Sequence, residues 1–412
     1  MVRKTVAVLA LAALLGTLSV SPGVAVSSAG TGDWSNTNSN AAQSRANLAE
    51  KVLTPSAVKK VQYLRSIVSP QISPRAACPG SVVAPLLAGG YLYAMTNDLL
   101  NKYDPATGQL IWRVTPDSSF TTTYVSLAIS ANLVVVGGYF CQSFSSPEGY
   151  IYAFNATTGA QVWTFNSING ADQAVTVSSS YVVAAGQTAA GYEVDVLNLS
   201  NGQQVWSGGG CLAASSTQPV VVGLVVMAYS CDNQDNTTVQ AYNLAAGAPL
   251  WNLPAGWVIQ SGDLAGSAGT NFYATDPSGT VEDLNPQTGQ VKYALSQAAD
   301  VLAVDTSRVY ATCGSNGDYV CAYNLGTGSL EWQNTQFYRK YLQTPALAAE
   351  ADGVLYLDLG FALNAATGKV ITKIWESLDG GPGSATAIAV GDGRIAVVSD
   401  PRVLDLYGLA GY

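Results

Sequence analysis

Short apolar stretches recur along the chain, many with hydrophobic residues at every second position, and they are separated by turns rich in Gly, Asn and Asp. Asp172–Val177 with Tyr181–Ala185, and Val301–Val304 with Arg308–Thr312, are pairs of this kind, each stretch four to six residues long. Runs this short, bounded by turn residues, are predicted as strands. After each pair comes one recurring phrase: an alternating strand, an Asn or Asp, a turn ending in Gly, and a second strand that usually closes on an aromatic. Gly108 is followed by Trp112, Gly159 by Trp163, Gly202 by Trp206, Gly247 by Trp251, Gly289 by Tyr293, and Gly328 by Trp332. In the seventh copy Gly368 is followed by Thr372. An Asn or Asp side chain bonds its own backbone two residues on, and Gly supplies the positive φ that closes a turn with a bulge, so each phrase is predicted as a β-hairpin.

The Gly-to-Gly spacings are 51, 43, 45, 42, 39 and 40, with a mean of about 43. That period matches four strands per propeller blade. An eighth copy begins with Ala385–Val390, Arg394–Ser399 and Val403–Tyr407, which supply three strands. A bare third strand would leave its ladder groups open to other chains. The fourth strand is therefore expected from Val61–Val68, which closes the ring from N-terminus onto C-terminus. The predicted fold class is all-β, an eight-bladed β-propeller of four-stranded antiparallel blades. Residues 1–29 read as a signal peptide, 30–60 as a partly disordered N-terminal arm, and 61–412 as the propeller.

Composition narrows the function. With 48% apolar and 11% charged residues the chain can bury a large core. It contains no histidine, which excludes Ser-His-Asp triads, Cys-His dyads and histidine-ligated zinc. Arg3 and Lys4 precede an apolar run from Val6 to Val20, followed by small residues that suit a signal peptidase, so an exported, secreted chain without a membrane anchor is expected. Without Arg3 and Lys4, 16 basic residues face 27 acidic ones, a net charge of −11. Nucleic acid and anionic membrane surfaces repel such a chain.

Six cysteines, an even number, favour disulfides in an oxidising compartment. Cys313 and Cys321 flank a hairpin with Asn316-Gly317 at its turn and are expected to pair. Cys211 with Cys231 joins the loop entering a blade to a loop within it, which leaves Cys78 with Cys141 by elimination.

The repeated Thr-Gly turn with a tryptophan four residues later resembles the blades of the pyrroloquinoline-quinone (PQQ)-like β-propeller family. Asp33-Trp34, Arg45, Asn47, Leu48 and Val58-Lys59-Lys60-Val61 are similar to the lead-in of quinoprotein-type propellers. The resemblance covers nearly the whole chain after the leader. It implies a test for chemistry, because quinoprotein alcohol dehydrogenases stack the quinone between a Trp and a disulfide of adjacent cysteines, with calcium beside it. This chain has no adjacent cysteines, and the histidine base of the sugar-oxidising type is missing. A Trp repeated once per blade is read as packing between blades. Asp232–Asn236 resembles a calcium loop only in part and reads as a solvated turn.

The glycine hairpins lie on one face of such a ring, whereas the loops between blades lie on the other and differ from one another. There Trp257, Phe337, Tyr338, Arg339 and Trp375 form the candidate ligand set. Packing of these aromatics back onto the rim is the competing reading. The expected function is a secreted, monomeric, non-enzymatic binding or scaffold protein without a cofactor, whose partner is a protein, peptide or glycan. A quinoprotein-like oxidoreductase using PQQ and calcium is the alternative. For the cysteines, peptide mapping without reduction should recover the three pairings above, and any free thiol or other pairing overturns them.

Overall fold

A strand covered on both faces can be apolar at every position, as Val134-Val135-Val136 and Val182-Val183-Ala184 are, and all six residues are fully buried. Both runs are second strands of four-stranded sheets in a computed structural model. It describes residues 33–68, 83–96, 99–117, 122–130, 132–140, 149–167, 171–178, 180–188, 191–209, 219–231, 237–263, 270–315, 317–335, 347–375, 385, 387–400 and 403–411. Blade 1 comprises Leu86–Ala88, Tyr91–Thr96, Leu99–Tyr103 and Leu110–Val114, paired in that order and antiparallel throughout. Six more sheets follow in sequence with the same up-and-down order. Their first strands are Thr122–Ser130, Ala171–Ser178, Val220–Val222, Val258–Gly262, Ala298–Val304 and Ala348–Ala351. First strands touch around the axis from blade 1 to blade 3 and from blade 4 to blade 8, blades 3 and 4 meet through Gly191–Asn198 and Val225–Cys231, and blade 1 meets blade 8. The described residues include a single turn of 3₁₀ helix, Val58–Lys60, and no helix long and apolar enough to cross a membrane.

Blade 8 takes Ala387–Gly391, Arg394–Asp400 and Val403–Gly408 from the end of the chain, and its outer strand is Gln62–Val68. That strand pairs antiparallel with the third, Tyr63 opposite Tyr407 and Val68 opposite Val403. The ring thus closes by strand donation from the segment expected from sequence, and the eight-bladed architecture is as expected.

Each hairpin follows one plan. In blade 2 the Asn155 Oδ1 accepts the Thr157 and Thr158 N–H groups, both at 2.9 Å, and the Gly159 N–H donates to the Asn155 carbonyl at 2.8 Å. The register then slips by one residue before Trp163, a bulge that turns the ring out of the blade. The ring seats on the glycine of the next blade. A Cβ added at Gly202 (φ +70°) would stand 2.5 Å from the Trp163 ring, and one at Gly247 2.6 Å from Trp206. The indole then reaches over that turn. Trp163 Nε1 donates to the Leu199 carbonyl at 2.9 Å, Trp206 to Leu244 at 2.7 Å, Trp251 to Pro286 at 2.8 Å and Trp332 to Ala365 at 2.9 Å. Trp112 does the same to Ala156 at 3.2 Å, and the Tyr293 hydroxyl donates to Leu325. The packing reading of the tryptophan series is therefore the structural one.

The exception at Thr372 also has a cause. Blade 8 draws its outer strand from the N-terminus and has no glycine hairpin for blade 7 to seat on. At this joint the wedge is Trp375, buried against Tyr407 with ring centroids 5.5 Å apart. At the joint between blades 8 and 1, Arg65 lies over Gly108 and donates to the Ala106 carbonyl.

The arm departs from expectation. From Asp33 onward it is ordered, and most of Trp34–Glu50 is buried. Its Asn- and Ser-rich composition reads as a linker, but these polar groups fill the ring's centre, which is lined by main-chain N–H and C=O groups that require partners.

Two predictions test this frame. Gly202→Ala should lose roughly 1–3 kcal/mol through left-handed backbone strain and ring overlap. Gly279→Ala, at φ +86° with open space around it, should lose less, and urea titration of both variants separates the seat from the strain. Deleting residues 30–70 should lower Tm sharply and promote aggregation through the bared edge of blade 8, and an unchanged monomeric melt overturns the closure.

Candidate functional site

The axis is built from the arm upward. The arm circles the channel and bonds each blade in turn. Trp34 N–H donates to Leu87 O (2.6 Å, blade 1), and the Ser35 carbonyl accepts from Ile129 N–H (2.7 Å, blade 2). Asn36 Oδ1 accepts from Val177 N–H (2.8 Å, blade 3). The carbonyls of Ala41, Ala42, Ser44 and Arg45 accept from Val221, Gly262, Val304 and Glu350 N–H, at 2.8 to 2.9 Å (blades 4 to 7). Asn47 Nδ2 donates to Val390 O at 2.8 Å (blade 8). Gly262 and Val304 are the last residues of their first strands, so the arm closes the channel at the face that carries the glycine hairpins.

Side chains of the arm complete this plug. Asn36 Oδ1 also accepts from the Thr176 hydroxyl at 3.1 Å, and Gln43 Nε2 reaches the same Thr176 at 3.4 Å. Ser261 donates to the Gln43 carbonyl at 3.0 Å. Arg45 donates from Nε to Asn38 Oδ1 at 3.3 Å and from Nη1 to the Val301 carbonyl at 3.1 Å. Burial pulls its guanidinium below the usual value, partly offset by Asp300. These groups are committed to the arm, apart from the Gln43 Oε1, which is buried without a partner.

A quinone with calcium needs convergent carboxylates and a stacking floor. Among the described residues no three acidic or cysteine side chains gather to hold a metal. Together with the lack of adjacent cysteines, the donor set does not fit that group.

On the opposite face, Trp257 stands between the outer strand of blade 4 and the first strand of blade 5, half-buried against the core shared by those two blades. Phe337, Tyr338 and Arg339 lie outside the described residues. Trp375 is only 5% exposed and packs a joint, so its ring is not part of an open surface. Cys313 and Cys321 form the expected disulfide, with Cα atoms 5.9 Å apart. Cys78, Cys141 and Cys211 lie outside the described residues, as does the side chain of Cys231.

Sequence reading missed the buried charges of the hairpin face. Asp283, fully buried, pairs with Lys292 at 3.0 Å, and burial pushes its carboxyl up to about 6 against that pull. Glu350 is 4% exposed in the first strand of blade 7. The signal for it was present: a lone carboxylate within Ala348-Ala349-Glu350-Ala351, an otherwise apolar strand.

Comparison with known proteins agrees with this frame. The family model described as outer membrane protein assembly factor BamB matches residues 36–233 and 235–375. Outer membrane protein assembly factor BamB of Bordetella pertussis is 25% identical over 313 residues, covering 69% of this chain and 75% of that protein. The crystal structure of BamB from Moraxella catarrhalis superposes with a TM-score of 0.56 at 18% identity, over 85% of this chain and 98% of that one. Quinohemoprotein alcohol dehydrogenase from Comamonas testosteroni gives 0.60 at 12% identity, over 92% and 81%, a likeness of fold alone. With most of its length matched by that one model, the chain belongs to the BamB family of PQQ-like β-propellers.

Proposed function

We propose that this protein is a secreted, non-enzymatic scaffold that binds a protein partner through the face opposite the glycine hairpins. The observation that carries this reading is the plugged axis. Where quinoproteins hold their cofactor near the axis, this chain has an arm bonded at least once to every blade, and the inner polar groups serve that contact. Membership in a family described as an assembly factor for outer membrane proteins supports a protein as partner over a peptide or glycan.

The two faces of the ring have unequal freedom. Hairpin-face turns are constrained by Asx hydrogen bonds and by the seated rings, so their residues answer to backbone geometry. The loops between blades share no repeated sequence. We place recognition there, with Trp257 as an aromatic anchor and Phe337, Tyr338 and Arg339 beside it in sequence order on the next variable loop but one. Arg339 suits a carboxylate, by a bidentate pair, or an aromatic face. The signal-like leader supports export.

Replacing Trp257 and Arg339 by Ala should weaken capture of partner protein from the native secretome by roughly 2 kcal/mol or more, with Tm nearly unchanged. Trp375→Ala should instead lower Tm, because it empties a joint. Normal capture by the double variant places the site elsewhere. Reconstitution with PQQ and calcium, followed by dye reduction across alcohols and sugars, is expected to give no turnover, and robust turnover reverses the reading.

A further inference from the structure

A cleft of about 370 Å³ opens on the hairpin face where the arm crosses blades 6 and 7. Lys51 and Pro55 of the arm form one wall, the turn Asp305–Arg308 of blade 6 another, and Glu350 with Asp352 of blade 7 the third. The arm is held here as a strand: Ala46 and Asn47 pair in parallel with Glu350 and Ala351, beside the bond from Glu350 N–H to the Arg45 carbonyl.

The Glu350 carboxyl has one main-chain donor, the Gly353 N–H at 2.9 Å on Oε1. The charges around it are unbalanced. From blade 6 it faces Asp305, which accepts the Ser307 and Arg308 N–H groups at 2.6 and 2.7 Å and the Tyr310 hydroxyl at 2.6 Å. The Arg308 guanidinium in the same turn is bound to Glu331 at 2.6 Å. From its own blade it faces Asp352 and Tyr356, and from the arm the Lys51 ammonium. An ionised Glu350 would therefore make three carboxylates around one uncommitted cation. Burial first, and the neighbouring carboxylates after it, push the Glu350 carboxyl up to about 8. A buried anion with one donor is relieved by water. The blades are bolted to each other, whereas the arm here is a single strand, so the arm is the wall that can yield.

We propose that Glu350 is the pin of a proton-operated latch: protonated, it lets Ser44–Ala49 lie closed across blades 6 and 7, and ionised, it draws water into the cleft and frees that stretch. The sign follows from linkage. A carboxyl whose folded value lies above its unfolded one favours the closed state most at low pH, and that contribution is lost as pH rises through about 8. The ring survives the opening because Gln62–Val68 still closes blade 8, and Glu50, which accepts the Gly393 N–H at 2.9 Å, still ties the arm to that blade. An open latch uncovers one end of the axial channel.

Hydrogen–deuterium exchange of the full chain, corrected for the intrinsic pH dependence, reads this directly. Protection of amides in 44–49 should fall about tenfold or more between about pH 6 and pH 9.5, with the strands of blade 3 unchanged. Glu350→Gln, neutral at every pH, should hold that protection constant, and Asp305→Asn, which removes the like charge, should move the wild-type midpoint to lower pH. The latch is overturned by a pH response that survives in Glu350→Gln, by an unmoved midpoint in Asp305→Asn, or by loss of protection in blade 3 together with the arm. If Glu350→Gln does not fold, the Asp305→Asn midpoint decides.

Discussion

An aromatic ring seated on a turn that has no side chain is the contact on which this ring of blades depends. Two requirements coincide at one residue. The turn needs a left-handed backbone, and the incoming indole needs the space a Cβ would occupy; glycine alone meets both. The indole N–H then caps a carbonyl of the same turn, so one residue packs, spaces and hydrogen-bonds adjoining blades at once. Repeated from Trp112 to Trp332, this contact sets the distance between neighbours and leaves the inner strands to meet at the axis. Where the chain's ends meet, the same job passes to other chemistry: Trp375 displaced by three residues before the join, and Arg65 after it.

That coincidence explains what could be read in advance. Gly and Trp were visible because each answers to a constraint identical in every copy, so blade number, hairpin position and the donated strand followed from spacing and from a missing fourth strand. The arm was not legible, because its residues answer to eight different strand ends and have no period. Polar composition alone looks the same in a loose linker and in a plug whose partners are main-chain groups far along the chain, such as Val177, Val304 and Val390. Trp375 misled for a related reason. It lies outside the repeat position, and only the absence of a hairpin in blade 8 explains why a wedge is needed there.

Blade 5 shows how the repeat tolerates change when chemistry is added. The residue across the strand from the bolt aromatic is Ala153, Val196, Ala241 and Ala322 opposite Trp163, Trp206, Trp251 and Trp332, but Asp283 opposite Tyr293. A phenol in place of an indole still reaches the next turn, and the buried carboxylate is held by Lys292. A charge in this joint is supported by a second polar substitution rather than by exposure. Blade 1 uses the opposite sign: Lys102 stands across from Trp112, donates to the Ala156 carbonyl at 2.9 Å, and lies 3.7 Å from the centre of the Tyr91 ring.

The donated strand also has a consequence in time. Gln62–Val68 leaves the ribosome long before its partner Val403–Gly408, and the arm ahead of it needs strand ends from every blade. The arm can dock blade by blade as these strands appear, but Gln62–Val68 cannot pair until Val403–Gly408 has been made. Seven blades can form in order as they emerge, each docking on the last, while Gln62–Val68 waits unpaired. Closure of the ring is therefore a single late event in which Gln62–Val68 meets Val403–Gly408. A chain halted before Val403 keeps Gln62–Val68 unpaired and an open edge, which gives quality control a clear mark of an unfinished product.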